Sequence, residues 1–142
     1  MSVKFEIKGL KEVQDSFNSK ISAVNGNLER SINNVALDLL ERTIPRVPIE
    51  SGDLRSSGQV SGSGNQRTVS FSAFSKEGYN YAVRQHEDLT LRHDRTDGHK
   101  TSDGRTVNMV AGGEAKFLEN TFKENYNRYL KIIENSVKEA VK

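Results

Sequence analysis

At positions 45–56 the chain reads Pro-Arg-Val-Pro-Ile-Glu-Ser-Gly-Asp-Leu-Arg-Ser, and its hydrophobic period differs on the two sides of that stretch. Before it the apolar residues recur every three or four positions; after it they alternate. The stretch is therefore a corner. Pro48 lacks an amide proton and biases Val47 away from helical angles, which predicts that a helix ends near Val47. Ser51-Gly52-Asp53 combines side chains that accept from nearby amides with a residue free to take a positive φ, the chemistry of a tight turn. Leu54 is the only apolar residue between Ile49 and Val60, so it is expected to point inward and pin the corner. Pro48, Ser51, Gly52, Leu54 and Arg55 are the residues assigned to this structural role.

The rest of the chain divides by period. Val3, Phe5 and Ile7 alternate with charged residues, which predicts a short strand ended by Gly9. Leu10, Val13, Phe17, Ile21 and Val24 then form one stripe of an amphipathic helix. Asn25-Gly26-Asn27 are poor helix formers and predict a break, the alternative being one kinked helix. The stripe resumes through Leu28, Ile32, Val35, Ala36, Leu39, Leu40 and Ile44, with Glu29, Arg30, Asn33, Asp38 and Arg42 read as a solvated opposite face. Beyond the corner, Val60 and then Val69, Phe71 and Ala73 alternate with polar residues around Ser61-Gly62-Ser63-Gly64-Asn65, a hairpin pattern. Tyr79-Asn80-Tyr81-Ala82-Val83 suits a strand or a helical turn. Residues 88–113 hold little to bury and carry two Asp-Gly turns, which predicts a long projecting loop or β-ribbon. From Glu114 the helical period returns through Phe117, Leu118, Phe122, Tyr126, Tyr129, Leu130, Ile133, Val137 and Val141. The expected fold is α+β within one domain spanning 1–142: a small antiparallel sheet packed against long amphipathic helices.

Composition narrows the functional classes. The apolar fraction is 34%; even with glycine added, that is lean beside the ~45–50% usual in globular domains. A chain so composed has long solvated faces or is completed by neighbouring subunits. The net charge of +2 argues against a sequence-independent grip on nucleic acid. Cysteine is absent, which removes disulfides and thiolate chemistry. No apolar run approaches the ~20 residues needed to cross a bilayer, and no signal-peptide core is visible. The chain is expected to be soluble and made in a cytoplasm.

Three constellations bear on chemistry. His86, His93 and His99 lie near Glu87, Asp88, Asp94 and Asp97, but no two histidines stand at i, i+4, so no metal is assigned. Ser51, Ser56 and Ser57 with His86 and Asp88 lack a nucleophile elbow and an oxyanion hole, so no catalytic residue is assigned. Gly112-Gly113 is followed by no Gly-Lys-Ser/Thr and is read as a hinge. Arg92, Arg95, Lys100 and Arg105 are matched by Asp94, Asp97 and Asp103, leaving a nearly neutral loop suited to protein partners. His86, Arg92, His93, Arg95, His99, Lys100 and Arg105 are its candidate contact residues, and no cofactor is expected.

The order of these features resembles the tail-completion, or head-tail joining, proteins of long-tailed bacteriophages. In that family the corner reads Ala-Pro-Val-Asp-Thr-Gly-x-Leu-Arg-x-Ser, matched here by Val-Pro-Ile-Glu-Ser-Gly-Asp-Leu-Arg-Ser-Ser at 47–57. A Tyr-Ala-x-Tyr-x-Glu/His segment is met by Tyr81-Ala82-Val83-Arg84-Gln85-His86-Glu87, and a Pro-Phe-Leu motif by Lys116-Phe117-Leu118 without its proline. The departure is 88–113, longer than in the simplest members. The resemblance implies a non-enzymatic virion protein at the head-tail interface. It would form a homo-oligomeric ring of six copies between head connector or adaptor proteins and the tail tube or tail terminator. DNA would pass through its lumen without specific binding. The alternatives are a tail terminator or head-closure ring subunit and, in another class, a metal-dependent enzyme or nucleic-acid-binding protein using the histidine loop.

Overall fold

The computed structural model describes residues 2, 9–49, 52–90 and 113–142, together with the backbone of 99–100 and 106–107. The expected strand at Val3, Phe5 and Ile7 lies outside these residues, as do Ser51, Arg92, His93, Arg95 and Arg105. The fold is α+β: one long helix, a small antiparallel hairpin, and a closing helix packed along the first.

Gly9 takes φ 84° and starts α1, Leu10–Thr43, a single helix of 34 residues and thus ~51 Å long. The expected break at Asn25-Gly26-Asn27 is absent. Local propensity predicted it, but side-chain and tertiary contacts override a penalty of ~1 kcal/mol for Gly26. Arg30 donates to the Gly26 carbonyl (3.3 Å) and to Asn27 Oδ1 (2.8 Å). Asn27 in turn exchanges two hydrogen bonds with Ser136 of the last helix, at 3.2 and 2.9 Å. A 3-10 turn, Ile44–Arg46, finishes the rod, and Val47 is extended at φ −72°, ψ 128°, as Pro48 requires.

Within the corner lies a single helical turn, α2, Asp53–Ser56, where the sequence pattern suggested a tight turn leading into a strand. Strands β1, Gln59–Ser61, and β2, Thr68–Ser70, then pair antiparallel with Val60 opposite Val69. The hairpin lies on α1. Arg67 ties its loop down, donating to Asn33 Oδ1 (3.0 Å) and facing Glu29 (3.3 Å). Helix α3, Tyr81–Glu87, settles the ambiguous segment in favour of a helix, because Asn80 caps it by accepting from the Ala82 amide (3.1 Å). Within the long segment 88–113, β3 (His99–Lys100) and β4 (Thr106–Val107) pair antiparallel, in keeping with a ribbon. Helix α4, Phe117–Val141, spans 25 residues, beginning three positions later than the period suggested.

Helices α1 and α4 run antiparallel: Asn27 meets Ser136, Asp38 meets Arg128 and Tyr129, and Arg46 meets Thr121 and Glu124. Asp38 therefore does not sit on a merely solvated face. Arg128 donates to it at 2.7 Å, Arg42 at 2.8 Å and the Tyr129 hydroxyl at 2.9 Å. The Arg128 guanidinium above all holds the Asp38 carboxyl down at about 2, from an ordinary 3.8. Burial, with Asp38 adding to it, pushes the Tyr129 phenol up to about 12. A carboxyl with a depressed folded-state pKa adds stability above its unfolded value, and that stability is lost as pH falls through the folded one. Asp38 should therefore contribute at most ~2 kcal/mol at neutral pH. Asp38→Asn should lower the melting temperature at pH 7 and flatten its decline between about pH 4 and pH 2, as followed by thermal denaturation across that range.

Candidate functional site

The junction between the corner and the start of α4 is the most constrained part of the molecule. Val47, Leu54, Ala73, Ala82 and Phe117 form one buried cluster, with Phe71, Tyr81 and Leu118 packed against it. Leu54 points inward, as its isolation in the sequence predicted. Gly52 has φ 89°, a conformation side chains with a Cβ rarely tolerate. Arg55 donates to the carbonyls of Pro45 (3.2 Å) and Val47 (2.9 Å). It thereby satisfies acceptors that the end of α1 leaves unpaired. Pro48 also meets the far side of the junction, since a Cβ built on Gly113 would lie 2.6 Å from the Pro48 Cα. Gly113 is thus a point of backbone contact rather than a free hinge, and the Glu114 amide donates to the Arg46 carbonyl (3.1 Å) beside it.

Arg46 is the hub that the sequence did not reveal. Its guanidinium forks onto both carboxylate oxygens of Glu124 (2.7 and 2.8 Å), reaches Thr121 Oγ1 (3.1 Å), and sets Nε 2.7 Å from Glu114. These acceptors, Glu124 foremost, raise the Arg46 pKa further above its ordinary value. Thr121 is itself almost wholly buried and donates to the Phe117 carbonyl (2.7 Å). The only local signal was a basic residue in a last helical turn, which helix capping already accounts for.

Of the candidate loop residues, His86 is placed most fully. Its ring stands edge-on to Phe117 at 4.9 Å, which in turn meets Phe71 at 5.5 Å. Its Nδ1 lies 2.7 Å from Glu87, and Nε2 is buried without a hydrogen-bond partner. Lys116, in the left-handed region at φ 55°, joins α3 to α4: its amide donates to the His86 carbonyl (2.6 Å) and its ammonium pairs with Glu87 and with Glu119 (3.2 Å). For His99 and Lys100 the backbone alone is described. Among the described residues, no group of three His, Asp or Glu side chains is gathered. Of the serines considered with His86, Ser56 and Ser57 are engaged elsewhere. Ser56 donates to the Asp53 carbonyl, while Ser57 donates to the Leu54 carbonyl (2.6 Å) and accepts from the Ser72 amide (3.0 Å).

Beside the junction lies an open groove of about 390 Å³ between α1 and α4, walled by Ile32, Val35, Leu39, Val69, Leu118 and Phe122 and edged by Arg67, His86 and Glu119. Its floor is apolar and its charges sit at the rim, an arrangement that suits protein side chains better than a small polar substrate. Set against known protein families, characterised proteins and solved structures, the chain matches none.

Two positions probe the junction. Gly113→Ala drives a methyl into backbone rather than into a flexible side chain, and should cost about 1–3 kcal/mol, read as a fall in melting temperature with helicity retained. Arg46→Ala should cost ~2 kcal/mol, since it removes a charge-assisted fork. Arg46→Lys should restore little of it, because an ammonium cannot span both oxygens of Glu124. Equal stability of Arg46→Lys and the parent in denaturant titration would show that the fork is dispensable.

Proposed function

We propose that this chain is a structural assembly subunit: a tail-completion or head-tail joining protein that forms a ring, of six copies, at the neck of a long-tailed phage. The observation that carries the reading is the distribution of apolar surface. Among the described residues eight hydrophobics are buried, whereas fourteen large ones are exposed, including Phe122, Tyr126 and Leu130 in one line along α4. Scattered exposed leucines mean little, but aligned aromatic and aliphatic side chains mark an interaction surface. Ring closure needs a contact between two different faces of the same subunit. The α4 line, which meets the groove between α1 and α4 at Phe122, offers one such face.

The rigid junction fits a part that transmits position between neighbours. A nearly neutral chain suits a lumen through which DNA slides, since strong attraction would retain it. The sequence motifs at 47–57, 81–87 and 116–118 all fall at this junction, where the family resemblance and the packing coincide. The segment 88–113, whose sequence carries His93, Arg95 and Arg105, is the one proposed to meet the connector or the tail tube. Assembly at the virion neck implies synthesis in the host cytoplasm.

A stop codon at Glu12 in the encoding genome is the direct test. Filled heads and finished tails that fail to join, with joining restored by the purified chain, are the expected result. Tails of uncontrolled length would point to a terminator, and heads that lose DNA to a head-closure subunit. Normal infectious particles lacking the chain would overturn the assignment.

A further inference from the structure

Helix α4 ends at Val141, which lines one open pocket with Phe17, Lys20, Ile21, Val24 and Asn25, so the first turns of α1, from Leu10 toward Ile21, run on past it. This arm carries Leu10, Val13, Phe17 and Ile21 exposed, with Phe17 at 67%. Together with Val24 they fall within an ~80° sector at 100° per residue. That sector is continuous with the face of α1 that α4 covers further along, where Ser31 and Leu39 are buried. Among the described residues the arm is therefore a packing face with no partner helix along it.

We propose that a second copy of this chain supplies that helix, the two arms pairing antiparallel about a two-fold axis at Phe17. The spacing of the stripe carries the choice of partner. Positions 10, 13, 17, 21 and 24 are separated by three, four, four and three residues, which reads the same in both directions. An antiparallel copy thus sets Leu10 opposite Val24, Val13 opposite Ile21, and Phe17 opposite itself, with no apolar residue left facing a polar one. The same register brings Lys20 opposite Gln14 and Lys11 opposite Ala23, so no like charges meet across the seam. The arm's own charges, Lys11, Glu12, Asp15 and Lys20, cancel. A parallel pair also matches each apolar residue with itself, but it stacks Lys11 and Lys20 each beside its own copy. It would also bring the partner's α4 alongside the α4 that already flanks Val24. In the antiparallel pair the second copy's Leu10 and Val13 instead come to the open pocket that Phe17, Ile21, Val24 and Val141 line. A two-fold contact is self-complementary and uses a surface separate from the α4 line and the groove, so it stands independently of the neck reading. Five side chains per copy make a small contact, so weak self-association is expected, with a dissociation constant of roughly tens of micromolar.

Because the chain has no cysteine, single-cysteine variants report the register without ambiguity. Phe17→Cys treated with a short bifunctional thiol reagent should give a covalent dimer on a denaturing gel, whether or not larger rings form. Val13→Cys should not, since in this register the two copies of position 13 lie ~12 Å apart along the axis; mixed with Ile21→Cys it should. Phe17→Glu sets two carboxylates face to face at an exposed position, and should weaken self-association at least ~10-fold in sedimentation equilibrium with far-ultraviolet helicity unchanged. Crosslinking at position 13 as ready as at 17 would overturn the proposal. So would self-association indifferent to Phe17→Glu, or a chain with no 17-to-17 crosslink at ~200 µM. A monomer whose position-17 thiol is shielded from a monofunctional reagent would assign the cover to the chain's own first residues, and would equally overturn it.

Discussion

The structure depends on how the first turn of α4 is seated against the end of α1. Gly113 touches Pro48 backbone to backbone, Phe117 enters the cluster of Val47, Leu54, Ala73 and Ala82, and Arg46 clamps the following turn through Thr121 and Glu124. Each of these contacts joins residues far apart in sequence at one point. With that point fixed, the antiparallel course of α4 along α1 follows, and Asp38 and Asn27 meet their partners further down the rod. The hairpin and α3 are held at the same place, by Phe71 and His86 on the ring of Phe117. The core is small, but nearly every element ends in it.

Much of this was legible from local chemistry. The proline at 48, the glycine at 52 and the lone leucine at 54 do what their residue types dictate, and both helical stripes and the hairpin alternation correspond to elements that formed. The misses share one cause. The helix runs through Asn25-Gly26-Asn27 because Ser136, more than a hundred residues away, binds Asn27. Asp38 looked like a solvated residue because Arg128 and Tyr129 cannot be placed opposite it until the helix pairing is known. Arg46 looked like a C-terminal helix charge, and its acceptor Glu124 lies in another element. Period and turn chemistry report what a segment prefers alone; they are silent on polar pairs made by its packing.

The functional reading was less legible for a related reason. A catalytic site concentrates unusual residue types within reach of one another, and such a cluster leaves a trace in the sequence. An assembly surface uses ordinary apolar residues, and along a helix these look the same whether they face the chain's own core or a neighbour. The stripe of α1 makes the point: Leu39 and Phe17 belong to one periodic series, yet one is buried and the other stands in solvent. Only the length of α4 distinguishes them.

That mismatch of helix lengths also sets a gradient of stability along the molecule. At the corner end, α1 is held by buried side chains, a guanidinium fork and backbone contacts; at the other end, among the described residues, it has its own hydrogen bonds and little else. Isolated helical segments of about 12–15 residues are marginal in water, so the arm is the part whose order depends most on what covers it. Any partner that binds the ordered arm, and not the frayed one, shifts the balance by mass action. In the proposed assembly the junction and the arm would divide the work within one helix, the first fixing the shape of the subunit and the second making its completion depend on its neighbours.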